Sequence, residues 1–260
     1  MSQDSRKEVP VLEVRSLRKI YDENSPTLRT QVIDDLSLTV KTGQFVCILG
    51  PSGCGKSTLL RCVAGFEDYQ GEVLVNGKLV MKPGAERIMV FQDFSQLFPW
   101  MTVEKNLQYP LKHQGIRDRK VLEEMTEQYL GMVGLLDYRK YYPHQLSGGM
   151  KQRVAIARTM AQKPTLVLMD EPMASLDAMS RNNLQDEILK IHQEEHLSVI
   201  FITHNIQEAI CLGDRILVMA DGGKILLDMD NPLPKPVKPS SKNYGEVWDE
   251  LHAVLYQARR

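Results

Sequence analysis

One short glycine-rich run limits what this chain can fold into more than any other part of its sequence. Residues 50–57 read Gly-Pro-Ser-Gly-Cys-Gly-Lys-Ser and follow an apolar stretch, 45–49, that has the length of a buried strand. Glycines at these spacings let a backbone wrap closely around a polyphosphate with its N–H groups pointing inward. The run therefore predicts a strand, a phosphate-binding loop and a helix that begins at Thr58.

The side chains at the end of this loop extend the prediction to a metal-bound nucleotide. Lys56 can reach the β- and γ-phosphate oxygens, and the Ser57 hydroxyl can bind Mg²⁺. The positive end of the following helix faces the same phosphates. We therefore predict that the chain binds a nucleoside triphosphate together with Mg²⁺. The predicted nucleotide-binding residues here are Gly50, Pro51, Ser52, Gly53, Cys54, Gly55, Lys56, Ser57 and Thr58.

A second anion site is predicted where Leu-Ser-Gly-Gly-Met, residues 146–150, precedes a segment with helical spacing. The free N–H groups of a helix start, the Ser147 hydroxyl and the helix dipole all favour a phosphate. The 50–57 loop already has everything that one nucleotide needs. The simplest explanation is a nucleotide held between two chains, with Ser147, Gly148 and Gly149 supplied by the partner.

These two motifs resemble those of the ATP-binding cassette family, whose LSGGQ motif is present as LSGGM with Met150 last. The resemblance covers roughly residues 11 to 230 and implies ATP as the nucleotide. It implies an α/β fold: a RecA-like P-loop NTPase core with a mainly parallel sheet, an N-terminal antiparallel β subdomain and a helical subdomain inserted at about 93–161. Residues 1–230 would form the ATPase domain, and 231–260 a Pro-rich linker with a short C-terminal helix.

Two carboxylates end the apolar strand predicted at 166–169, and strand tips in a parallel sheet face the ligand crevice. The resemblance makes Asp170 the Walker B aspartate, which holds Mg²⁺ through water, and Glu171 the residue that orients and polarises the attacking water. It implies that His204, after the strand predicted at 199–202, contacts the γ-phosphate. Asp177 matches the D-loop, Ser175-Leu176-Asp177, which links the two sites across the dimer.

Two further residues gain their predicted roles only from the order of the motifs. Gln92 matches the Q-loop glutamine, which touches the Mg²⁺ or water region and senses the membrane partner. Tyr21 lies where relatives place the aromatic side chain that stacks on adenine. After Gln92, Phe94, Phe98, Pro99 and Trp100 crowd together, and we leave open whether Trp100 packs internally or lines a groove for a permease helix.

The periodicity of the remaining chain agrees with a layered α/β protein. Alternation predicts strands at 12–17 and 32–40, and Asn76-Gly77 predicts a hairpin over 71–79. Buried strands are predicted at 45–49, 88–91, 166–169, 199–202 and 216–219. Residues 92–161 show helical patterns, with one apolar face at Val121, Met125, Tyr129, Val133 and Leu136. Four prolines predict an extended linker at 231–239, and an apolar stripe from Val247 to Leu255 predicts a helix docked on the core.

Composition narrows the class of protein further. With 260 residues and 43% hydrophobic content the chain can bury a large core, and a net charge of −1 gives no electrostatic case for a nucleic-acid partner. Four cysteines show no metal spacing, so a reducing compartment fits best. Cys54 could have a lowered pKa beside a helix start, or simply be a tolerated loop residue. No apolar run approaches the roughly 18 residues that span a bilayer.

We therefore predict the ATPase subunit of a bacterial importer, located peripherally at the cytoplasmic face of the membrane. The stretch 87–110 looks like importers of the nitrate, sulfonate and taurine group. The predicted partners are a second copy or a homologous ATPase, integral-membrane permease subunits and, through them, a solute-binding protein. The transported solute cannot be read from this subunit.

Two alternatives remain open at this point. An ATP-binding cassette protein without a transport role would share the same motifs, although relatives of that kind typically carry coiled-coil insertions or two cassettes. His192 and His196 also fit the H-x-x-E-H pattern of inverted zinc peptidases, with the two histidines one helical turn apart.

Overall fold

The computed structural model describes residues 10–22, 30–92, 96–174 and 176–258. Two sheets and seven α-helices are present in these ranges. The strands are β1 Leu12–Tyr21, β2 Thr30–Val40, β3 Phe45–Leu49, β4 Gln70–Val75, β5 Lys78–Leu79, β6 Arg87–Val90, β7 Leu166–Asp170, β8 Ser198–Ile202, β9 Arg215–Met219 and β10 Ile225–Asp230. The helices are α1 Lys56–Ala64, α2 Val103–His113, α3 Arg119–Met132, α4 Gly148–Ala161, α5 Ala178–Glu195, α6 Ile206–Leu212 and α7 Tyr244–Ala258.

The larger sheet has the strand order β10-β9-β3-β8-β7-β6. Five of these strands run parallel, and β10 pairs antiparallel with β9 at one edge. Every residue of β3, β7 and β8 is buried, because helices cover both faces of a parallel sheet. The predicted mainly parallel sheet is confirmed, whereas β10, with its half-exposed alternation, was not among the predicted strands.

The smaller sheet is antiparallel, in the order β2-β1-β4-β5. Buried and exposed residues alternate along much of β1 and β2, as expected for a sheet with one face on the core. The hairpin between β4 and β5 turns at Asn76 and Gly77, which both have positive φ, as a tight two-residue turn requires. The predicted antiparallel β region and its hairpin are confirmed.

Helices α2, α3 and α4 pack against one another between β6 and β7 in chain order. Side chains of Thr102, Asp118 and Ser147 cap their N-termini. The predicted apolar face was wrong at its ends, because Val121 in the first turn of α3 and Leu136, which lies beyond the end of α3, are both exposed. A strict four-residue repeat drifts by about 40° per step around a helix. The buried side chains instead mix spacings of three and four: Leu122, Thr126, Tyr129, Leu130 and Val133.

The C-terminal segment is attached more closely than a linker. Leu233 and Val237 are buried in the main core, and Asn231 and Lys235 donate hydrogen bonds to backbone carbonyls at the end of α6. Residues 231–239 contain neither helix nor strand, and they form a strap across the core and not a free spacer. Helix α7 then docks through Val247, Leu251 and Leu255, as predicted. In the described ranges no helix is long and apolar enough to cross a membrane.

Candidate functional site

The 50–57 loop connects β3 to α1 at the carboxyl end of the parallel sheet. At Gly50 a Cβ atom would lie 2.3 Å from the Met219 carbonyl oxygen on β9, so only glycine allows this approach. Gly55 has a φ of 104° and lies against the Val32 carbonyl of β2. The helix begins at Lys56, two residues before the predicted start at Thr58, because Gly55 serves as its N-terminal cap. The loop is therefore closely packed between both sheets.

Lys56 is buried inside this loop. Its Nζ donates hydrogen bonds to the carbonyl oxygens of Gly50 at 2.8 Å and Pro51 at 2.7 Å. Pro51, Ser52 and Gly53 form the outer curve, where Ser52 and Gly53 are exposed. A single ammonium group is thus held at the centre of a curved backbone, which is the arrangement a polyphosphate-binding loop needs.

Ser57 and Asp170 meet although 113 positions separate them in the chain. The Ser57 hydroxyl donates to Oδ1 of Asp170 at 3.0 Å. Burial raises the pKa of Asp170, the Ser57 hydrogen bond opposes that shift, and the nearby Glu171 charge adds to it. A hydroxyl and a carboxylate that converge in this way are hard oxygen ligands of the kind that Mg²⁺ prefers. The donor set therefore fits Mg²⁺.

Glu171 and His204 form a second pair at the same edge of the sheet. The Nδ1 atom of His204 lies 3.0 Å from Oε2 of Glu171. Glu171 has a positive φ of 45°, and its N–H donates to the Ile202 carbonyl at the end of β8. The His204 side chain is 62% exposed, so its ring reaches both the carboxylate and solvent. An acid–base pair accessible to water can move a proton during hydrolysis.

The LSGGM motif lies at the start of α4, where Ser147 is the N-cap and its hydroxyl accepts from the Met150 N–H. Gly149 packs tightly against Leu176, since an added Cβ would lie 2.7 Å from the leucine Cδ2. Gly148 occupies the first helical position. In the described part of the chain these contacts join the motif to the segment before α5 and not to the 50–58 loop.

Asp177 caps α5 by accepting from the Ser180 N–H at 2.9 Å. Hydrogen bonding by Ser180 lowers the pKa of Asp177, so the carboxylate stays charged at the helix start. Ser175, the first residue of the predicted D-loop, lies outside the described residues. The buried Leu176 side chain packs on Gly149, so Asp177, the next residue, lies close to the start of α4.

Gln92 is exposed just after β6, and its role as a contact to Mg²⁺ or water stays a prediction. The residue before it is held firmly: the Phe91 carbonyl accepts from both Gln96 and Gln152. Gln152 lies on α4, so one side chain connects the LSGGM helix to the Gln92 segment. Sequence reasoning missed this role of Gln152. The available signal was a polar residue inside the helical pattern that follows LSGGM. Phe94 lies outside the described residues.

Tyr21 ends β1 opposite Thr30, with the Lys19 ammonium 4.6 Å from the centre of its ring. Its stacking on adenine stays a prediction. Residues 23–29 of the loop that joins β1 to β2 lie outside the described residues.

Two alternatives about individual side chains are wrong. Burial raises the pKa of Cys54 although the Lys56 charge opposes the shift, so the predicted lowering of this pKa is wrong. His192 packs against the Phe45 ring, with Nδ1 at 2.8 Å from the Leu197 carbonyl, and His196 is the exposed C-cap of α5. Among the described residues no cluster of three or more His, Cys, Asp or Glu side chains could hold a metal ion. In the described part of the chain His192 and His196 therefore have no third ligand with which to form a zinc site.

Comparisons with known proteins agree with this geometry. A family model described as ABC transporter matches residues 33–174. The chain is 47% identical over 247 residues to the uncharacterized ABC transporter ATP-binding protein MJ0412 of Methanocaldococcus jannaschii, covering 94% of this chain and 91% of that protein. It is 39% identical over 236 residues to the aliphatic sulfonates import ATP-binding protein SsuB of Bacillus cereus, covering 90% and 91%.

A third relative is the nitrate import ATP-binding protein NrtC of Synechococcus elongatus, 39% identical over 237 residues, which span 88% of this chain and 36% of that protein. Among solved structures, the dimeric, post-hydrolysis state of the ATP-binding cassette MJ0796 bound to ADP and Pi matches with a TM-score of 0.74 and 27% identity. The match covers 84% of this chain and 98% of that one.

Proposed function

The chain belongs to the ABC transporter family, and from this premise we propose that it is the ATP-binding and hydrolysing subunit of an importer of the nitrate and sulfonate group. Its similarity to sulfonate and nitrate import ATP-binding proteins supports the direction of transport. The observation that carries the proposal is the meeting of Lys56, the Ser57–Asp170 pair and the Glu171–His204 pair at one edge of the sheet. Each of these groups fits one requirement of ATP hydrolysis.

Phosphate binding falls to the 50–58 loop. We assign Lys56 to the β- and γ-phosphates, where it would exchange its two backbone carbonyl partners for phosphate oxygens. Ser57 and Asp170 would hold Mg²⁺, with Gln92 close to the same region. When bound, Mg²⁺ neutralises charge that develops on the phosphate oxygens. Tyr21 would stack on the adenine ring.

The chemical step falls to Glu171. Its carboxylate orients a water molecule and accepts a proton as the water attacks the γ-phosphate. The His204 Nδ1 atom lies against that carboxylate, and the exposed part of its ring can contact the γ-phosphate. Attack, proton transfer and charge stabilisation are then divided between residues at the ends of β7 and β8.

Two copies complete each site in this proposal. Residues Ser147, Gly148 and Gly149 of one chain, with Asp177 beside them, would face the nucleotide bound by the 50–58 loop of the other. A head-to-tail pair with two-fold symmetry satisfies both sites at once, and the dimeric state of the structural relative supports it. We place the ATPase domain at 1–230, with the helical part at about 93–161.

The membrane partner would dock beside Gln92. Trp100 is 69% exposed and lies against Phe98, which in turn contacts Tyr109 and Arg158. Phe98 is therefore the internal packing residue, and Trp100 is left as an accessible aromatic anchor for a permease helix. In this proposal the chain lies peripherally at the cytoplasmic face of the membrane, and the permease links it to a solute-binding protein.

Reconstitution tests the whole proposal. The purified chain is combined with the permease that copurifies with it, in vesicles supplied with ATP, and uptake of nitrate and of an alkanesulfonate is measured. We expect uptake of one of these solutes that requires ATP and that Trp100→Ala reduces together with permease copurification. A matched variant, Tyr256→Ala, removes another exposed aromatic far along the chain and should leave uptake unchanged. ATP hydrolysis that never supports uptake would contradict the importer.

A further inference from the structure

Glu208 is a buried carboxylate that none of the roles above uses. It lies in the first turn of α6 and is only 5% exposed. Its Oε2 atom accepts from the Thr203 hydroxyl at 2.5 Å, and Oε1 lies 3.3 Å from Nε of Arg181. Burial raises the pKa of Glu208, which the hydrogen bond and the arginine oppose. An acid is rarely buried without such partners, because desolvating a charge is costly.

The Thr203 end of this contact encloses His204. The Thr203 hydroxyl also accepts from the Asn205 N–H at 3.0 Å, and the Thr203 N–H donates to the Ile48 carbonyl on β3. Asn205 in turn caps α6. The backbone is thus fixed immediately before and after His204, and the imidazole lies against Glu171 as a consequence.

At the Arg181 end of the Arg181–Glu208 contact, the guanidinium reaches the segment that packs beside LSGGM. Arg181 is on α5, and its Nη2 donates to the Leu176 carbonyl at 3.0 Å. Leu176 is the residue whose side chain packs against Gly149. One guanidinium therefore joins the segment before α5 to the carboxylate that fixes the His204 turn.

We propose that Arg181 and Glu208 are positioning residues for hydrolysis, which hold His204 against Glu171 and tie that turn to the Leu176–Asp177 segment. This inference rests on the proposed function. Neither residue touches the nucleotide site, and both act through their neighbours. Through the Leu176 carbonyl, Arg181 connects the His204 turn to the segment that packs on Gly149 of the LSGGM motif.

Arg181→Met tests this assignment while keeping an apolar stem of similar length. We expect kcat for ATP hydrolysis to fall at least about tenfold, with KM and the affinity of the isolated chain for ATP changed less than about twofold. Arg215→Met is the matched control. Arg215 likewise pairs with a carboxylate, that of Asp228, and donates to a backbone carbonyl, that of Thr39. It is the first residue of β9. The kcat of this control variant should equal that of the wild type.

A double-variant cycle separates positioning from mere stability. Glu208→Gln still accepts from Thr203 but no longer pairs with Arg181, so it should lower kcat to a similar extent. If the pair acts as a unit, Arg181→Met combined with Glu208→Gln should be no slower than either single variant. The double variant also leaves no unpaired buried charge, which keeps the fold testable if a single variant unfolds.

Several outcomes would overturn the inference. Wild-type kcat in Arg181→Met or Glu208→Gln would do so, as would strictly additive losses. If kcat falls only in proportion to the melting temperature, and by as much as in Arg215→Met, the Arg181–Glu208 pair contributes stability and does not position His204. Arg181→Lys keeps the charge beside Glu208 but loses the geometry of a guanidinium, and wild-type turnover in this variant would remove the link to Leu176. If wild-type protein does not hydrolyse ATP, the proposed function fails first, independently of these variants.

Discussion

Glu171 shows at the scale of one residue what a linear motif leaves out. Its φ of 45° is unusual for a residue other than glycine and costs on the order of 1 kcal/mol. The cost is offset because its N–H bonds the Ile202 carbonyl at the end of the neighbouring strand. That turn of the backbone aims the carboxylate at His204, whereas Asp170, one residue earlier, points to Ser57.

Lys56 supplies the first prediction at this scale. Lys56→Ala removes the only side-chain cation that the described contacts place within the 50–57 loop, and a hydrogen bond to a charged partner contributes about 1.5–3 kcal/mol. We expect the affinity for Mg-ATP to fall by about tenfold or more, measured by calorimetry on the isolated chain. Lys224→Ala, at an exposed site, is the control. Equal affinity in both variants would contradict the assignment of the loop.

Asp214 supplies a prediction about pH. Burial alone would raise the pKa of Asp214, but His192, whose Nε2 lies 3.6 Å from Oδ2, the hydrogen bond from the Phe45 N–H and the Lys235 charge lower it overall. A carboxyl with a lowered folded-state pKa contributes stability above its unfolded value, about 4, and loses it as the pH falls through the folded pKa. The stability difference between wild type and Asp214→Asn should therefore be present at pH 7 and shrink below about pH 4.

Urea unfolding of wild type and Asp214→Asn, at pH 7 and at a pH below about 4, measures this difference in the free energy of unfolding directly. A difference that is absent at neutral pH, or that grows on acidification, would show that the Asp214 carboxylate is not stabilised by its neighbours. Asp249→Asn, at an exposed position on α7, controls for the general effect of removing a negative charge.

At the scale of elements, the short helix α6 depends on groups from elsewhere. It has only seven residues, and isolated helices of that length are unstable in water. Asn205 caps its start, while Asn231 and Lys235 of the C-terminal strap bond carbonyls at its end. Because Asn205, the N-cap of α6, directly follows His204, the strap fixes the far end of the helix that begins beside this histidine.

Lys235→Met tests this attachment. Burial lowers the pKa of Lys235, and its Nζ donates to the Cys211 and Gly213 carbonyls. The variant removes both of these hydrogen bonds, although the Gly213 carbonyl still accepts from Asn231. We expect a loss of about 1–2 kcal/mol in the free energy of unfolding, measured by denaturant titration. Lys238→Met, at an exposed position of the same strap, should be neutral. Equal stability of the two variants would mean that the strap contributes packing alone.

At the scale of the whole molecule, the phosphate-binding loop and LSGGM belong to different parts of one chain. The loop is enclosed by both sheets, while LSGGM begins a helix that packs on α2 and α3. In the proposed head-to-tail pair, a second copy would bring these two surfaces together. In the proposed pair, binding energy from ATP would favour the closed state, and hydrolysis would remove the contacts that hold it closed.

Glu171→Gln separates this closure from chemistry. Glutamine keeps the size of the side chain but cannot accept the proton, so ATP hydrolysis should fall by on the order of a hundredfold or more. Bound Mg-ATP should then hold a stable dimer in sedimentation velocity. Adding Ser147→Arg to the same variant should abolish the dimer while leaving nucleotide binding intact. A preparation of Glu171→Gln that binds ATP and still sediments as a monomer would contradict the shared site.

Local chemistry made part of this protein readable from its sequence. A phosphate-binding loop needs contiguous glycines, a lysine and a hydroxyl, and a helix start needs its cap, so residues 50–57 and 147–149 were recognisable by spacing alone. The buried strands were also predicted well, because a parallel sheet covered on both faces requires uninterrupted apolar runs. The family and the α/β fold followed from these features and are confirmed.

Tertiary structure decided everything that depends on which distant residues meet. Strand β3 lies between β8 and β9, an order that chain spacing does not encode, and this order brings Ser57 to Asp170 and the end of β8 to Glu171. The pairing of Arg181 with Glu208 and the attachment of Lys235 to α6 arise in the same way. Each joins a polar side chain to a partner on another element, and such pairs leave no periodic pattern in a single sequence, because their positions are set by packing.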